Sequence, residues 1–355
     1  MKGRVLITGG AGFIGSHTAD ALRARGFKVR ILDALLPPVH DGRWPSYMKG
    51  KGFELMRADV RRKATWVRAL KGISFVYHLA AYQDQRPDFS TFFETNTVST
   101  SLLYEVAVAK RFPLKKVILA SSQFVYGDGR YSCTHNGGEF YPELRTERQF
   151  KKEQFDILCA HSAPGRFHPF REDQVLTPTN SYGLSKVALE QLAMRLGKTY
   201  GIPTTALRYS IVQGERQSPR NLYSGALRIF VTQALRGRPI TVYEDGGQKR
   251  DFVNVHDVVR ANLLPLSTSR ADFEVFNVGG GRAFTVLSFA KLAQRLAGSH
   301  SGIAIGGFRR TDTRNAVSDI SKIKKLGWRP RFSPERSVKD YIHWYQKEYW
   351  VKRGE

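Results

Sequence analysis

The sequence predicts an α/β protein whose parallel sheet is covered by helices on both faces. Short apolar runs recur in the first third of the chain, and they are continuous rather than alternating, which is typical of strands buried on both sides. Amphipathic stretches separate these runs, as helices do in a doubly wound sheet. The predicted strands lie at 4–8, 28–32, 73–79 and 116–120, and the predicted helices at 16–25, 64–70 and 92–109.

The pattern is interrupted once and then resumes. Residues 128–173 are polar and aromatic with little periodicity, and a loop of that length either has a function or contains small structure of its own. The later predicted strands lie at 204–209, 240–243 and 275–278, and the later helices at 182–200, 255–266, 286–296 and 338–350.

The composition is that of a globular protein with a large excess of positive charge. Hydrophobic residues make up 41% and charged residues 25% of the 355 residues, which excludes wholesale disorder. The 56 Lys and Arg against 31 Asp and Glu give a net charge of +25. Nucleic acid, an acidic membrane and a phosphorylated small molecule are therefore all admissible partners.

Three features of the sequence predict a cytoplasmic protein without a signal peptide or a membrane span. Two cysteines are too few for a disulfide scaffold and fit a reducing compartment. The first residues, MKGRVLITGGAGFIG, have too short an apolar run and too many glycines for a signal peptide. No run of about 18 apolar residues occurs, so no membrane span is expected.

A glycine-rich turn stands where the first predicted strand gives way to the first helix. It reads Gly9-Gly10-Ala11-Gly12-Phe13-Ile14-Gly15. In such a turn, Gly9 permits a tight bend, Gly12 lets backbone amides approach a pyrophosphate, and Gly15 lets the helix pack against the strand. The turn therefore predicts a Rossmann-type dinucleotide site.

Two aspartates at strand ends bear on which dinucleotide binds. Asp33 ends the second strand, where a carboxylate can accept hydrogen bonds from both ribose hydroxyls and would repel a 2′-phosphate. Ala34 and Leu35 follow it, with no arginine to compensate, so NAD is favoured over NADP. Asp59 closes the next strand and could meet the adenine edge, although a surface aspartate at a strand end has the same appearance.

A tyrosine and a lysine one helical turn apart suggest the catalytic group. Tyr182 and Lys186 project from one face of a helix, and Ser121 and Ser122 end a strand of the sheet. A tyrosine hydroxyl titrates near ~10 in water. We expect the lysine ammonium and the positive nicotinamide ring to lower that pKa, and Ser122 to hold the substrate hydroxyl in line.

Together these motifs resemble the extended short-chain dehydrogenase/reductases, in the group of NAD-dependent nucleotide-sugar epimerases and dehydratases. The resemblance extends over nearly the whole chain except the irregular loop. Its motifs are GGAGFIG at 9–15, HLAA at 78–81, SSQFVYG at 121–127, YGLSK at 182–186, LRYSIVQGERQ at 207–217, QKRDFVNVHDV at 248–258, NVGGG at 277–281 and SDISKIKKLGW at 318–328.

The resemblance implies the roles of individual residues. The implied catalytic residues are Ser122, Tyr182 and Lys186. The implied NAD-binding residues are Gly9, Gly12, Phe13, Ile14, Gly15, Asp33, Asp59, Val60, Leu79, Ala80, Ala81, Asn96, Tyr182, Lys186 and Tyr209. The implied substrate-binding residues are Ser122, Gln123, Asn221, Arg250, Arg309 and Asp312. Arginine suits a diphosphate because its planar fork can donate two hydrogen bonds to phosphate oxygens.

The resemblance also implies the domain organisation. An NAD-binding Rossmann domain would comprise residues 1–210, with an insertion at 128–173, and would receive about 248–268. A smaller C-terminal α/β subdomain at 211–247 and 269–355 would bind the substrate. A homodimer would form through the helices at 92–109 and 182–200.

Three positions depart from relatives of known chemistry. Dehydratases of this group place an Asp-Glu pair after the catalytic hydroxyl, where this chain has Gln123 and Phe124, neither of which can move a proton. Phe124 also replaces the cysteine of 3,5-epimerases. Ile211 replaces the frequent Asn of an R-Y-F-N motif, which removes one polar contact to the nucleotide sugar.

The insertion holds both cysteines of the chain. Cys133 with His135 and Cys159 with His161 form two Cys-x-His pairs 26 residues apart, which could supply four ligands for tetrahedral zinc. Some similar sugar epimerases carry a zinc-ribbon-like insertion here, with two-residue rather than single-residue spacers. The alternative is two buried thiols with nearby surface histidines.

The predicted function is NAD-dependent epimerisation of a nucleoside-diphosphate sugar, at C4, through a transient 4-keto sugar. One alternative is a one-way nucleotide-sugar oxidoreductase or a decarboxylase of the same superfamily. Another is a basic Rossmann protein that binds nucleic acid, which the intact Ser122, Tyr182 and Lys186 disfavour.

Overall fold

The computed structural model describes residues 3–84, 86–221 and 225–350. In chain order the strands are β1 (Arg4–Thr8), β2 (Lys28–Asp33), β3 (Glu54–Arg57), β4 (Phe75–His78), β5 (Lys116–Ser122), β6 (Tyr131–Cys133), β7 (Glu139–Phe140), β8 (Gly165–Phe167), β9 (Thr204–Tyr209), β10 (Ile211–Gln213), β11 (Ile240–Val242), β12 (Lys249–Asn254), β13 (Glu274–Val278), β14 (Ala283–Thr285), β15 (Ile303–Ile305) and β16 (Asn315–Ala316).

The α-helices are α1 (Phe13–Ala24), α2 (Lys63–Ala69), α3 (Phe89–Phe92), α4 (Ser99–Ala109), α5 (Glu147–Lys151), α6 (Ser181–Thr199), α7 (Ala226–Leu235), α8 (Val255–Leu263), α9 (Val286–Leu296), α10 (Ser321–Lys324) and α11 (Pro334–Tyr345). A π-helical segment, Phe93–Val98, joins α3 to α4, and another, Gln346–Trp350, continues α11. Among the described residues, no helix is both long enough and apolar enough to cross a membrane.

Seven parallel strands form the central sheet, in the order β3-β2-β1-β4-β5-β9-β13. Alternate residues of β1 serve opposite faces, as the strand period requires. Val5 and Ile7 lie in one hydrophobic core with Leu22 of α1, whereas Leu6 lies in the other core with Leu189 of α6. The predicted doubly wound sheet is therefore confirmed.

A smaller α/β region packs beside the C-terminal part of this sheet. Strands β10, β12, β14 and β16 form one sheet, β11 pairs with β15, and helices α7, α9 and α11 share a core with them. Helix α11 begins four residues before the predicted start because Ser333 caps it and Pro334 takes the first helical position.

Two strands pair across the predicted domain bounds, and the division into domains stays a prediction. β12 lies within 248–268, which was assigned to the NAD-binding domain, but it pairs with β10, β14 and β16. β13 lies within 269–355, which was assigned to the substrate subdomain, but it extends the central sheet, with Phe276 opposite Leu207 of β9. Helix α8 packs against the central sheet and against α1: its Asn262 carbonyl accepts a hydrogen bond from Tyr77 of β4 at 3.0 Å, and its Asn262 amide donates to the Thr18 hydroxyl of α1 at 2.9 Å.

The insertion at 128–173 contains small structure of its own. Strands β7, β6 and β8 form an antiparallel sheet, in which Tyr131 packs against the rings of Phe140 and Phe167. A disulfide joins Cys133 to Cys159, with their Cα atoms 5.5 Å apart. Helix α5 is started by a capping box between Thr146 and Gln149.

Candidate active site

The glycine turn between β1 and α1 is packed too closely to accept side chains. Gly9 has φ +64°, and a Cβ there would lie 2.8 Å from the backbone of Ala80. A Cβ on Gly15 would lie 2.2 Å from the Gly9 carbonyl oxygen, so α1 begins directly against the turn. Phe13 and Ile14 form the first turn of α1, and Ile14 packs into the core beneath it. This cradle has the form that a dinucleotide pyrophosphate requires.

Asp33 stands beside this cradle at the end of β2. Its carboxylate accepts hydrogen bonds from the backbone N–H groups of Ala11 at 3.0 Å and Leu35 at 2.8 Å. These bonds orient the carboxylate next to the glycine turn, and each oxygen keeps a lone pair for a further donor. The residues therefore fit NAD, and the bonding of Asp33 to the ribose hydroxyls stays a prediction.

Asp59 and Val60 are more occupied than the sequence suggested. The Asp59 carboxylate is held by Arg61, through its backbone N–H at 2.9 Å and its guanidinium at 2.7 Å. Val60 is buried, and its carbonyl accepts a hydrogen bond from the Trp66 indole at 2.8 Å. An adenine contact by the Asp59 side chain stays a prediction, and it would have to share the carboxylate with Arg61.

The segment after β4 forms the opposite wall of the cradle. Leu79 and Ala80 are tied to Thr8 of β1, and the exposed Ala81 follows them. The buried Asn96 side chain bonds both backbone groups of Tyr82 and donates to the Ser185 hydroxyl at 2.9 Å. Asn96 therefore braces this wall against α6, the helix that carries the predicted catalytic residues.

Close packing brings Tyr182 and Ser122 together. Asn180 caps α6 by accepting a hydrogen bond from the Gly183 N–H at 2.8 Å. A Cβ on Gly183 would lie 2.5 Å from the Phe124 carbonyl oxygen, so the first turn of α6 rests on the turn that follows β5. Tyr182 and Ser122 are both buried, and their hydroxyls share a hydrogen bond.

Lys186 lies behind the tyrosine, one helical turn further on. Its ammonium donates to the Ala120 carbonyl at 2.8 Å and stands 5.7 Å from the centre of the Tyr182 ring. The structure thus brings Ser122, Tyr182 and Lys186 together as the sequence predicted. Tyr209 is close by, with its hydroxyl bonded to Asn262 at 2.6 Å.

Burial is the largest influence on the pKa values of Tyr182 and Lys186. Burial raises the pKa of Tyr182 to about 12, against hydrogen bonds with Ser122 and Gln83 that lower it. Burial also lowers the pKa of Lys186 to about 8, against the raising effect of the Glu190 carboxylate. The predicted lowering of the tyrosine pKa does not arise in the chain by itself, because desolvation outweighs the polar contacts.

Two glutamines lie beside the Tyr182–Ser122 pair, of which the sequence predicted Gln123 and missed Gln83. Gln83, two residues beyond the HLAA motif, hydrogen-bonds to Tyr182, and only its nearness to that motif could have indicated it. Gln123 was predicted to bind substrate, and it is 3% exposed with neither amide atom hydrogen-bonded to a described residue. Because a buried amide without a partner is costly, Gln123 has capacity for a ligand at this point.

The predicted substrate residues other than Ser122 and Gln123 lie outside the central sheet. Arg250 lies on β12, and its guanidinium donates to the carbonyls of Lys249 at 2.9 Å and Arg314 at 3.3 Å. Arg309 lies over the Tyr243 ring at 4.7 Å. Burial raises the pKa of the Asp312 carboxyl, and the charges of Arg250 and Arg309 oppose that rise. Asn221 is half-buried and borders residues 222–224, which lie outside the described ranges.

The predicted zinc ligands lie together, but two of them are bonded to each other. Cys133 and Cys159 are buried and form the disulfide, whereas His135 and His161 are exposed with ring centres 5.0 Å apart. The His161 ring also contacts the Asn136 amide at 3.2 Å. Zinc binding requires deprotonated thiolates, so it stays a prediction for the reduced chain.

A second cluster of metal-ligand types lies beside α1. Within the described ranges, ligand atoms of His17, Glu215 and His256 come within 4.8 Å of one another. Burial lowers the pKa of His17 to about 3, and the positive charge of Arg216 lowers it further. That same charge opposes a metal cation, so we assign no ion to this cluster.

The fold and these side chains define a Rossmann-type enzyme in which serine, tyrosine and lysine meet beside a dinucleotide cradle. Residues 5–279 match the sequence profile of the NAD dependent epimerase/dehydratase family, and the chain belongs to that family. The resemblance inferred from the motifs is therefore confirmed.

Known proteins similar to this chain include epimerases and a decarboxylase. The chain is 31% identical over 353 residues to the dTDP-L-rhamnose 4-epimerase of Burkholderia thailandensis, covering 97% of this chain and 95% of that one. It is 26% identical over 366 residues to the UDP-N-acetyl-alpha-D-glucosaminuronate decarboxylase of Bacillus cytotoxicus, covering 98% and 99%. The crystal structure of UDP-glucuronic acid 4-epimerase from Bacillus cereus, in complex with UDP-glucuronic acid and NAD, matches with a TM-score of 0.79 and 25% identity, covering 98% of this chain and 100% of that one.

We expect Gly15→Ala to weaken NAD binding. The added Cβ would lie 2.2 Å from the Gly9 carbonyl oxygen, so the turn must shift. Overpacking of about 1–3 kcal/mol at the cradle corresponds to binding weaker by roughly 5- to 150-fold. Titration of the purified protein with NAD, followed by tryptophan fluorescence, measures the loss. Gly302→Ala is the control, because nothing lies within 4 Å of its added Cβ. Equal NAD affinity in both variants would contradict the assignment of the cradle.

We expect Tyr182→Phe to abolish proton transfer while the fold and NAD binding remain. Loss of a positioned acid–base group lowers kcat by roughly 10²–10⁴-fold. The control is Tyr200→Phe, because Tyr200 ends the same helix and is 53% exposed. Turnover of nucleotide sugar and NAD affinity are measured on both variants, and a Tyr182→Phe protein with near-normal turnover would rule out the assignment.

Proposed function

We propose that this chain is an NAD-dependent isomerase that inverts C4 of a nucleoside-diphosphate sugar. The observation that carries the proposal is the hydrogen-bonded Tyr182–Ser122 pair, with Lys186 behind it, at the strand ends that also form the dinucleotide cradle. The similarity to nucleotide-sugar 4-epimerases supports the choice of carbon and of substrate class.

The chain's own residues handle the proton in this reaction. Tyr182 as phenolate takes the proton of the C4 hydroxyl, and Ser122, bonded to Tyr182, holds that hydroxyl in line. When bound, NAD supplies a reversible hydride acceptor next to C4. After the 4-keto sugar turns over in the pocket, Tyr182 returns the proton to the C4 oxygen on the opposite face.

The substrate is anchored away from the reacting carbon. Arg250 and Arg309 would bind the diphosphate, and the orphan amide of Gln123 would bond a sugar hydroxyl. Anchoring by the diphosphate leaves the 4-keto sugar free to turn while the nucleotide stays bound. Gln123 and Phe124 offer no acid and base for expelling water, so the chemistry ends at epimerisation rather than dehydration.

The second candidate is decarboxylation or one-way oxidoreduction in the same pocket, because a decarboxylase is among the relatives. Decarboxylation and epimerisation both begin with oxidation at C4, so the arrangement of Ser122, Tyr182 and Lys186 suits either reaction. They differ in product: a decarboxylase releases CO₂ from a sugar acid, whereas an epimerase conserves every atom of its substrate.

We expect the purified enzyme to isomerise one member of a panel of UDP- and dTDP-sugars without net NADH formation. The reaction is run in deuterated water and the products are analysed by NMR and mass spectrometry. Isomerisation without deuterium at C3 or C5 agrees with hydride return at C4. Deuterium at those positions, or loss of CO₂, would instead identify another reaction.

We also propose a homodimer in the cytoplasm. Large apolar side chains are exposed within the two segments expected at the dimer interface: Phe93 at 37%, Val98 at 46% and Leu184 at 49%. Contact between these segments of two copies would bury those side chains.

In a reducing cytoplasm the Cys133–Cys159 disulfide would be reduced. The two thiolates, together with His135 and His161, would then provide four zinc ligands. We expect reduced protein to bind one zinc ion per chain and Cys159→Ser to bind none. Metal analysis after purification under reducing conditions measures this, with Ser162→Ala as the matched control. Reduced wild-type protein without zinc would exclude the site.

A further inference from the structure

The insertion at 128–173 is fastened to the smaller α/β region by buried charges. Arg145 donates two hydrogen bonds to the Glu244 carboxylate, at 2.9 and 3.0 Å, and the two side chains are 2% and 0% exposed. Such a two-pronged pair in a buried setting fixes both partners in position and orientation.

Arg145 also reaches the segment that holds the predicted substrate residues. Its guanidinium donates to the Asp312 carbonyl oxygen at 2.6 Å and to the Phe155 carbonyl oxygen at 2.8 Å. The guanidinium lies 4.6 Å from the centre of the Phe150 ring, and that ring stacks on Phe308, the neighbour of Arg309. The insertion therefore holds both ends of the segment 308–312.

Arg314 extends the same contact toward Arg250. Its guanidinium bonds Asp245 at 2.6 Å and Asp156 of the insertion at 3.0 Å. Its backbone N–H donates to the Asp128 carboxylate at 2.8 Å, and its carbonyl oxygen accepts from Arg250 at 3.3 Å. The insertion therefore contacts both the backbone that orients Arg250 and the segment that carries Arg309.

We propose that Arg145 is a positioning residue of the substrate site, through which the insertion sets Asp312 and the two arginines that face the substrate's diphosphate. The inference rests on the proposed function, because it assigns the diphosphate to Arg250 and Arg309. The insertion then helps to form the nucleotide-sugar pocket and is more than an addition to the Rossmann domain.

The chemistry of the contact favours this role over a purely structural one. Burying an arginine and a glutamate is expensive, and apolar side chains of similar volume hold two surfaces together equally well. Charged partners add a fixed direction, which a site that must present two guanidinium groups to one diphosphate requires. The charge of Arg145 also lies near enough to Asp312 to favour its ionised form.

The test compares Arg145→Met, Arg145→Lys and the double variant Arg145→Met/Glu244→Leu. We expect Arg145→Met to raise KM for the nucleotide sugar roughly tenfold or more, with kcat and NAD affinity nearly unchanged. Arg145→Lys restores only part of the loss, because an ammonium cannot bond both Glu244 and the Asp312 carbonyl in the same geometry. Arg130→Met is the control, because Arg130 pairs with Glu139 inside the insertion at 2.8 Å.

The double variant keeps the proposal falsifiable if the single variant folds poorly. It leaves no buried charge unpaired, because Arg314, which also bonds Glu244 at 3.2 Å, keeps its pairs with Asp245 and Asp156. Its thermal stability is therefore expected to return toward wild type while KM stays high. A double variant with wild-type KM overturns the proposal, as does a fall in kcat and stability with KM unchanged.

Binding of free UDP and dTDP, measured by calorimetry, separates failure of the inference from failure of the proposed function. Weaker nucleotide binding in Arg145→Met than in Arg130→Met supports the positioning role even if no sugar of the panel is epimerised. Equal binding in the two variants overturns it. A wild-type protein that binds neither nucleotide overturns the proposed function and this inference with it.

Discussion

The site depends on one steric constraint: the backbone of the first turn must touch both the start of α1 and the segment after β4. Gly15 meets the Gly9 carbonyl oxygen, and Gly9 meets the backbone of Ala80, at distances that exclude any side chain. Parallel strands deliver their carboxyl ends to one edge. The cradle after β1, Asp33 after β2 and Ser122 at the end of β5 consequently share that edge.

The buried ion pair between Glu190 and Arg208 holds helix α6 against the central sheet. Glu190, one turn beyond Lys186, accepts a hydrogen bond from the Arg208 guanidinium at 2.7 Å and another from the Ser121 hydroxyl. Arg208 also donates to the Tyr126 hydroxyl at 2.7 Å. The Glu190 carboxylate raises the pKa of Lys186, against the larger effect of burial. The pair therefore fixes α6 on β5 and β9, and it favours the charged form of the lysine beside Tyr182.

Sequence reasoning was reliable where a local pattern decides the structure. β1, β9 and α9 have the predicted bounds, because strand and helix periods are properties of neighbouring residues. The partners of β12 and β13 could not be predicted from the sequence, because strand pairing is decided by distant segments. The position of Arg145 is a similar case: its partners, Glu244 and Asp312, lie about a hundred residues or more along the chain. The burial that raises the pKa of Tyr182 likewise depends on the whole fold, and the lowering expected from a bound nicotinamide ring stays a prediction.

The distribution of the arginines indicates which side chains carry the net charge of +25 and what kind of partner that charge attracts. Among the buried arginines, Arg145, Arg208 and Arg314 are paired with Glu244, Glu190 and Asp245, so they add little to the field outside the protein. The excess therefore belongs to exposed side chains such as Arg62, Lys71 and Arg111. A positive surface of this kind speeds the approach of small polyanions and is screened by salt. A nucleotide sugar carries a diphosphate that such a field attracts, so the charge suits the proposed substrate without requiring a nucleic acid.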